Sequence, residues 1–148
     1  MENKKELITK LETIKELSND CLILLKEYNN PRDLVNLIAR SYIGKIKYKY
    51  GGKDENGIDC SGFVQKVLLE AKIDIPKTIT NSLGMREWGR EVESIQEANI
   101  GDIICYNGHC ALYMGGGMII DAGQSTGGIT ERKTNILPII TIRDVIDA

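Results

Sequence analysis

At 148 residues, with 42% apolar and 27% charged side chains, the chain suits one compact domain with a real core, and a disordered or fibrous class is excluded. Nineteen basic residues against 21 acidic ones give a net charge of −2, and no basic stripe interleaved with aromatics appears, which excludes a nucleic-acid partner. No run is long and apolar enough to span a bilayer, and the first twenty residues, MENKKELITKLETIKELSND, are charged throughout, so neither a membrane segment nor a Sec-type signal is expected.

The spacing of Leu7, Leu11, Ile14, Leu17, Cys21 and Leu24 predicts a helix over residues 3–28, stopped by Asn29, Asn30 and Pro31. Residues 1–29 are therefore read as a unit of their own, a packing or docking helix, and 30–148 as the main domain. A second helix begins at Pro31, which suits a first turn, with Leu34, Leu37, Ile38 and Tyr42 on one face. Gly51-Gly52 opens a loop, KDENGID, that ends at Cys60. From Ser61 the segment SGFVQKVLLEAK is helical: Phe63, Val67 and Ala71 form one apolar row and Val64 and Leu68 the next. Residues 78–99 are polar and read as loop plus short helix. Beyond Gly101 the pattern changes to strands: DIICY, HCALYM, a Gly115–Gly117 turn, MIIDA, then a further strand pair in GITERK and LPIITIRDV. Helices followed by antiparallel strands describe an α+β domain.

Cys60 stands directly before a helix, where unpaired N–H groups and the positive end of the helix dipole favour thiolate and can receive an oxyanion. A buried inert cysteine is the plainer reading of such a residue taken alone. His109, the one histidine of the chain, opens a strand and is the group suited to take and return the thiol proton. Side chains alternate along HCALYM, so His109, Ala111 and Tyr113 share a face. A three-residue turn centred on Gly116 puts Ala111 opposite Asp121, and Asp121 then falls on the face of His109, ready to orient the imidazole. An even-residue turn reverses that parity. Cys105 and Cys110 flank His109 closely, but Cys-x4-Cys lacks a second ligand pair for a closed zinc site, so they are read as apolar filling of the sheet. Trp88 is read as core or groove wall.

The segment YKYGGKDENGIDCSGFVQKVLLEAKIDIPKT resembles the core motif of the NlpC-type cell-wall peptidases: an aromatic-x-aromatic-Gly-Gly loop, Asp-Cys-Ser-Gly opening a helix, then an Ile-Pro-Lys-Thr turn. NIGDIICYNGHCALYMGGGMIIDA resembles that family's His-opened strand and hairpin return. The resemblance runs from about Pro31 to the C-terminus. It implies a papain-like fold, with a central antiparallel sheet packed on helices and the nucleophile at a helix N-terminus. It also implies hydrolysis of peptidoglycan stem peptides, typically between the γ-carboxyl of D-glutamate and the diamino acid, with no metal or cofactor. By position Cys60 is the nucleophile, His109 the base, and Tyr48, Asp59 and Ser61 line the acceptor pocket.

Two departures stand out. The family's third polar position usually holds His, Asn or Gln, whereas this chain has Asp121, which predicts activity with raised basicity at His109. Asn99-Ile100-Gly101-Asp102 lacks the usual proline. Since no leader is read, delivery to the wall is expected by lysis, by a phage-tail-like particle or by non-Sec export, with the first helix docking to tail or injection-machine proteins. The rival reading is a structural hub protein of such an assembly that keeps the fold without using it. An amidase, a thiol transferase and a zinc module remain further alternatives.

Overall fold

The structure, a computed structural model, describes residues 4–15 and 30–147, with side chains described for 4–9 and 30–147. Helix α1 spans Lys4–Lys15, and Leu7 and Ile8 lie partly buried against the main core. The rest of the helix predicted over 3–28, Cys21 and the boundary at residue 29 lie outside the described residues.

Helix α2 (Pro31–Ser41) starts where Asn30 accepts the Arg32 N–H at 3.0 Å, and proline at its first turn loses no hydrogen bond. Leu34, Leu37 and Ile38 are buried, as their spacing predicts. Arg32 anchors this end of the helix to the sheet through Asp102 and Asp144, each at 2.9 Å. The loop after Gly51-Gly52 holds a hairpin that its polar sequence hides, β1 (Lys53–Asp54) and β2 (Gly57–Ile58). Two residues per strand are too few for an alternation to show.

Helix α3 (Cys60–Glu70) is the central helix, and both predicted rows, with Phe63, Val64, Val67 and Leu68, are buried. Then come α4 (Ser82–Met85), the edge strand β3 (Arg90–Val92) and a 3-10 turn over Ile95–Glu97. The sequence reading of 78–99 holds for the short helix and misses β3, where Arg90 and Glu91 are exposed.

The sheet is completed by β4 (Ile103–Tyr106), β5 (His109–Gly115), β6 (Met118–Gly123), β7 (Gly128–Lys133) and β8 (Ile139–Asp144), in the order β3-β8-β4-β5-β6-β7 with antiparallel neighbours. One expectation is corrected here: β7 and β8 do not pair with each other. β7 extends the β5–β6 hairpin as an edge strand, whereas β8 inserts between β3 and β4. The helices cover one face, where Cys105, Cys110, Leu112, Met114, Ile120 and Ala122 join the helical core. On the opposite face Ile104, Tyr106, Ala111, Tyr113, Ile119 and Ile142 form a second, smaller cluster. The α+β class and the antiparallel sheet are those read from the sequence.

Candidate active site

Asp59 caps α3: its Oδ1 accepts the Gly62 N–H at 2.7 Å and the Ser61 hydroxyl at 3.2 Å, while its Oδ2 accepts the Gly51 N–H at 3.1 Å. One carboxylate thus ties the glycine loop to the helix start. The glycines of the motif are there for space. A Cβ on Gly62 would collide with the Gly52 carbonyl, and a Cβ on Gly52 with the Gly57 carbonyl. With the Gly62 amide capped and the Phe63 amide bonded to the Asp59 carbonyl at 2.9 Å, the helix start offers the Cys60 and Ser61 amides to an incoming oxyanion.

On the sheet, His109 Nε2 lies 2.6 Å from Asp121 Oδ2. The parity inferred for this pair holds, though the turn does not have the predicted form. The innermost pair is Gly115↔Met118, so only Gly116 and Gly117 close the hairpin, both at positive φ as a two-residue turn prefers. That even count alone would have sent Asp121 to the other face. A bulge between Tyr113 and Gly115 inserts the missing residue and restores the register Leu112↔Ile120. Asp121, fully buried, is also held by Arg132, whose Nε donates to Oδ1 at 3.1 Å and whose second guanidinium nitrogen donates to Oδ2 at 2.6 Å. Arg132 was not singled out in the sequence. Its signal lies in the β6–β7 register: Asp121 faces Thr130, two residues away from Arg132 on the same side of the strand.

Cys60 meets His109, and with Nε2 committed to Asp121 the remaining ring nitrogen is the one left for sulfur. The Cys60 thiol is lowered to about 5. The hydrogen bond from Cys110 is the largest cause, burial opposes it, and the hydrogen bond and charge of His109 add to it. Burial acts to lower His109, but its bonds to Asp121 and Cys60 and their charges prevail and raise it to about 9. Between those values sulfur and imidazole rest as a thiolate–imidazolium pair. Asp121 remains a carboxylate: burial works against its charge, and His109 and Arg132 together outweigh that and hold it below the usual range.

Cys110 needs a correction. It is buried on the helix-facing side of β5, as read, but it is no inert filler, because its thiol and its backbone N–H both bond to Cys60. Cys105 is buried core, and Trp88 packs partly buried against the same core. Tyr48, Asp59 and Ser61 come together with Cys60 in a cleft of about 530 Å³ that also takes in Tyr50, Asn81 and Gly108. A second cleft of about 450 Å³ opens beyond His109, lined by Asn107, Gly108, Gln124, Ser125 and Arg132 among others. Gly108 borders both, so the sulfur–imidazole pair lies at the junction of two grooves. Among the described residues no group of three or more His, Cys, Asp or Glu is placed to hold a metal ion.

Residues 44–137 match the model of the NlpC/P60 family. The murein DD-endopeptidase/LD-carboxypeptidase MepS of Escherichia coli K12 is 30% identical over 90 residues, which are 57% of this chain and 46% of that protein, so the chain spans about half of that relative's length. The peptidoglycan hydrolase RipB of Mycobacterium tuberculosis superposes with a TM-score of 0.70 at 27% identity, over 80% of this chain and 66% of that one. RipD of the same organism, a non-catalytic NlpC/p60 domain protein adapted to peptidoglycan binding, has a TM-score of 0.66 at 23% identity, over 80% of this chain and all of that one (100%). The fold is that of the papain-like domain that the family resemblance implied. RipD shows that this fold alone does not carry catalysis.

Proposed function

The chain belongs to the NlpC/P60 family, and we propose that it is a cysteine endopeptidase hydrolysing peptidoglycan stem peptides at the bond between the γ-carboxyl of D-glutamate and the diamino acid. What carries the reading is the thiolate–imidazolium pair of Cys60 and His109, with Asp121 behind the imidazole, at the junction of two grooves.

The Cys60 thiolate attacks the stem-peptide carbonyl carbon, and the oxyanion settles against the Cys60 and Ser61 amides at the positive end of α3. The His109 imidazolium gives its proton to the leaving amine, the C–N bond breaks, and a thioester remains on Cys60. Water then surrenders a proton to His109 and attacks the thioester; the C–S bond breaks, the acyl group leaves as a carboxylic acid that ionises in solvent, and the ion pair is restored. Asp121 orients the ring and keeps its cation favourable throughout. Tyr48, Asp59 and Ser61, on the Cys60 side, line the groove for the acyl half of the substrate. Tyr48 keeps its hydroxyl proton, because burial and then the Cys60 and Asp59 charges push its pKa up.

The test is digestion of defined muropeptides by the purified chain, with products read by mass. Cleavage after γ-D-glutamate, absent in Cys60→Ala, is the expected result. MepS is named for a different bond in the same polymer, so products of D,D-cleavage would keep the chemistry and replace the substrate assignment. Hydrolysis retained in pure Cys60→Ala protein would remove the nucleophile assignment altogether.

A further inference from the structure

Strand β5 brings two neighbouring residues to the Cys60 sulfur, and the mechanism above uses only His109. The other, Cys110, is completely buried on the helix-facing side of the sheet, where its thiol bonds to the nucleophile. On the adjacent strand β4, Cys105 is the direct cross-strand partner of Cys110. All three are free thiols, so Cys60, Cys110 and Cys105 form one buried row with only the Cys60 end opening on a cleft. As a donor Cys110 helps to hold the Cys60 thiolate, but the hydrolytic steps give its own sulfur nothing to do.

We propose that Cys60 and Cys110 are a redox pair, which closes to an intramolecular disulfide when the protein meets hydrogen peroxide and so turns the nucleophile off reversibly.

The chemistry proceeds in two steps. The Cys60 thiolate attacks one peroxide oxygen; an S–O bond forms, the O–O bond breaks, and the departing hydroxide takes a proton to leave as water. Cys110 sulfur then attacks the sulfenic sulfur of Cys60. The S–S bond forms, the S–O bond breaks, and the hydroxyl leaves as water with the Cys110 proton. Two electrons pass from the two sulfurs to one peroxide, and an external dithiol reverses the balance.

The same contact explains why the pair stays reduced until peroxide arrives. While Cys60 is a thiolate, its hydrogen bond, the burial of Cys110 and the Cys60 charge all hold the Cys110 proton in place. Sulfenic acid is neutral, so oxidation removes the Cys60 charge that opposed release of that proton. A second peroxide must enter from the cleft to carry Cys60 on to the irreversible sulfinic acid, whereas Cys110 is already at the sulfur. Intramolecular capture therefore has the advantage.

The proposal borrows from the proposed function only the thiolate character of Cys60, and its primary readout is mass rather than turnover, so the two fail separately. The full chain is treated with hydrogen peroxide at about five equivalents per chain, enough for the two peroxides that a sulfinic acid consumes; its remaining thiols are alkylated under denaturing conditions, and the digest is mapped with and without reductant. The expected result is an intact mass lower by two hydrogen atoms, a Cys60–Cys110 cross-linked peptide, Cys21 and Cys105 alkylated, and full thiol recovery with dithiothreitol. Cys110→Ala should instead carry Cys60 to sulfinic acid under the same dose. Should that variant fold poorly, Cys105→Ala takes its place, and there the Cys60–Cys110 cross-link must persist. Sulfinic Cys60 without a cross-link in the wild-type chain overturns the proposal. So does a disulfide that maps to Cys105–Cys110 or to Cys21.

Discussion

His109 and Cys110 are adjacent in the chain, yet they belong to opposite faces of one strand, and the two faces treat the nucleophile differently. On the His109 face the neighbours are charged: a fully buried carboxylate, Asp121, braced by a bidentate guanidinium, with the Tyr106 ring 5.8 Å from the imidazole. On the Cys110 face they are apolar, and the Cys110 thiol and backbone N–H are what the strand offers to Cys60 there. The first face moves protons, since an imidazole whose cation is stabilised can hold and return one. The second face has no base to offer and acts on the sulfur by an S–H bond and by excluding water. One nucleophile is thus set from two sides, by charge on one and by a weak donor in a dry environment on the other.

Breaking the comparison at its centre gives the largest effect. Cys60→Ala or His109→Ala should cut turnover by roughly 10⁴-fold or more, because members of such a constellation fail as a unit. Circular dichroism should stay near wild type for both and melting should do so for Cys60→Ala, whereas His109→Ala, which takes a partner from the buried Asp121, should melt lower. Next comes the charged face. Asp121→Asn removes a carboxylate that raises His109, so the imidazolium should lose its proton at lower pH. Turnover of the wild-type chain should follow a bell, rising as Cys60 ionises near about 5 and falling as His109 deprotonates near about 9. The asparagine variant should bring the alkaline limb to lower pH and lose roughly 10- to 100-fold at pH 7. An alkaline limb that does not move would mean that Asp121 has no part in holding the imidazolium. A smaller loss is expected for Arg132→Gln, which leaves Asp121 Oδ1 without its donor. Exposing that need in a buried carboxylate should cost roughly 1–3 kcal/mol of stability, read as a lower melting midpoint.

The two faces also differ in how far the sequence discloses them. Helices α2 and α3 and the strands β4 to β7 were legible because each carries its own periodicity over several residues. Cys60 was legible as a cysteine directly before a helix, a strictly local arrangement, whereas Asp59 was read only for the substrate pocket and its capping of α3 was not. Asp121 was placed correctly on the face of His109, but the two-residue turn and the bulge that put it there trade one residue for another, and glycines at three consecutive positions do not reveal that exchange. Arg132 depends on a second register, that of β6 with β7, and Cys110 on how closely α3 settles onto β5. β3 and the insertion of β8 between it and β4 are farther still from local signals, since three residues, two of them exposed and charged, display no alternation. Chemistry carried by neighbours in the chain or across one tight hairpin was readable, whereas chemistry that depends on a further register or on helix–sheet packing was not.

The sharpest discrimination between the faces comes from the smallest effect. Cys110→Ala removes the S–H donor and leaves the β5 backbone amide and His109 in place, so the thiolate loses one stabilising partner out of several. The Cys60 pKa should rise from about 5, which brings the acidic limb of turnover to higher pH while the alkaline limb, governed by His109 and Asp121, stays close to its original position. Loss should be roughly two- to tenfold at pH 6 and fade by pH 8, where the thiolate forms regardless. Iodoacetamide alkylation of Cys60 should follow the same curve, independently of any peptide substrate. Cys110→Ser restores a donor at the same place and should recover much of the acidic limb, which a purely packing role for Cys110 would not allow. A uniform fall at every pH in both variants would assign Cys110 to packing and leave Cys60 to be set from the charged face alone.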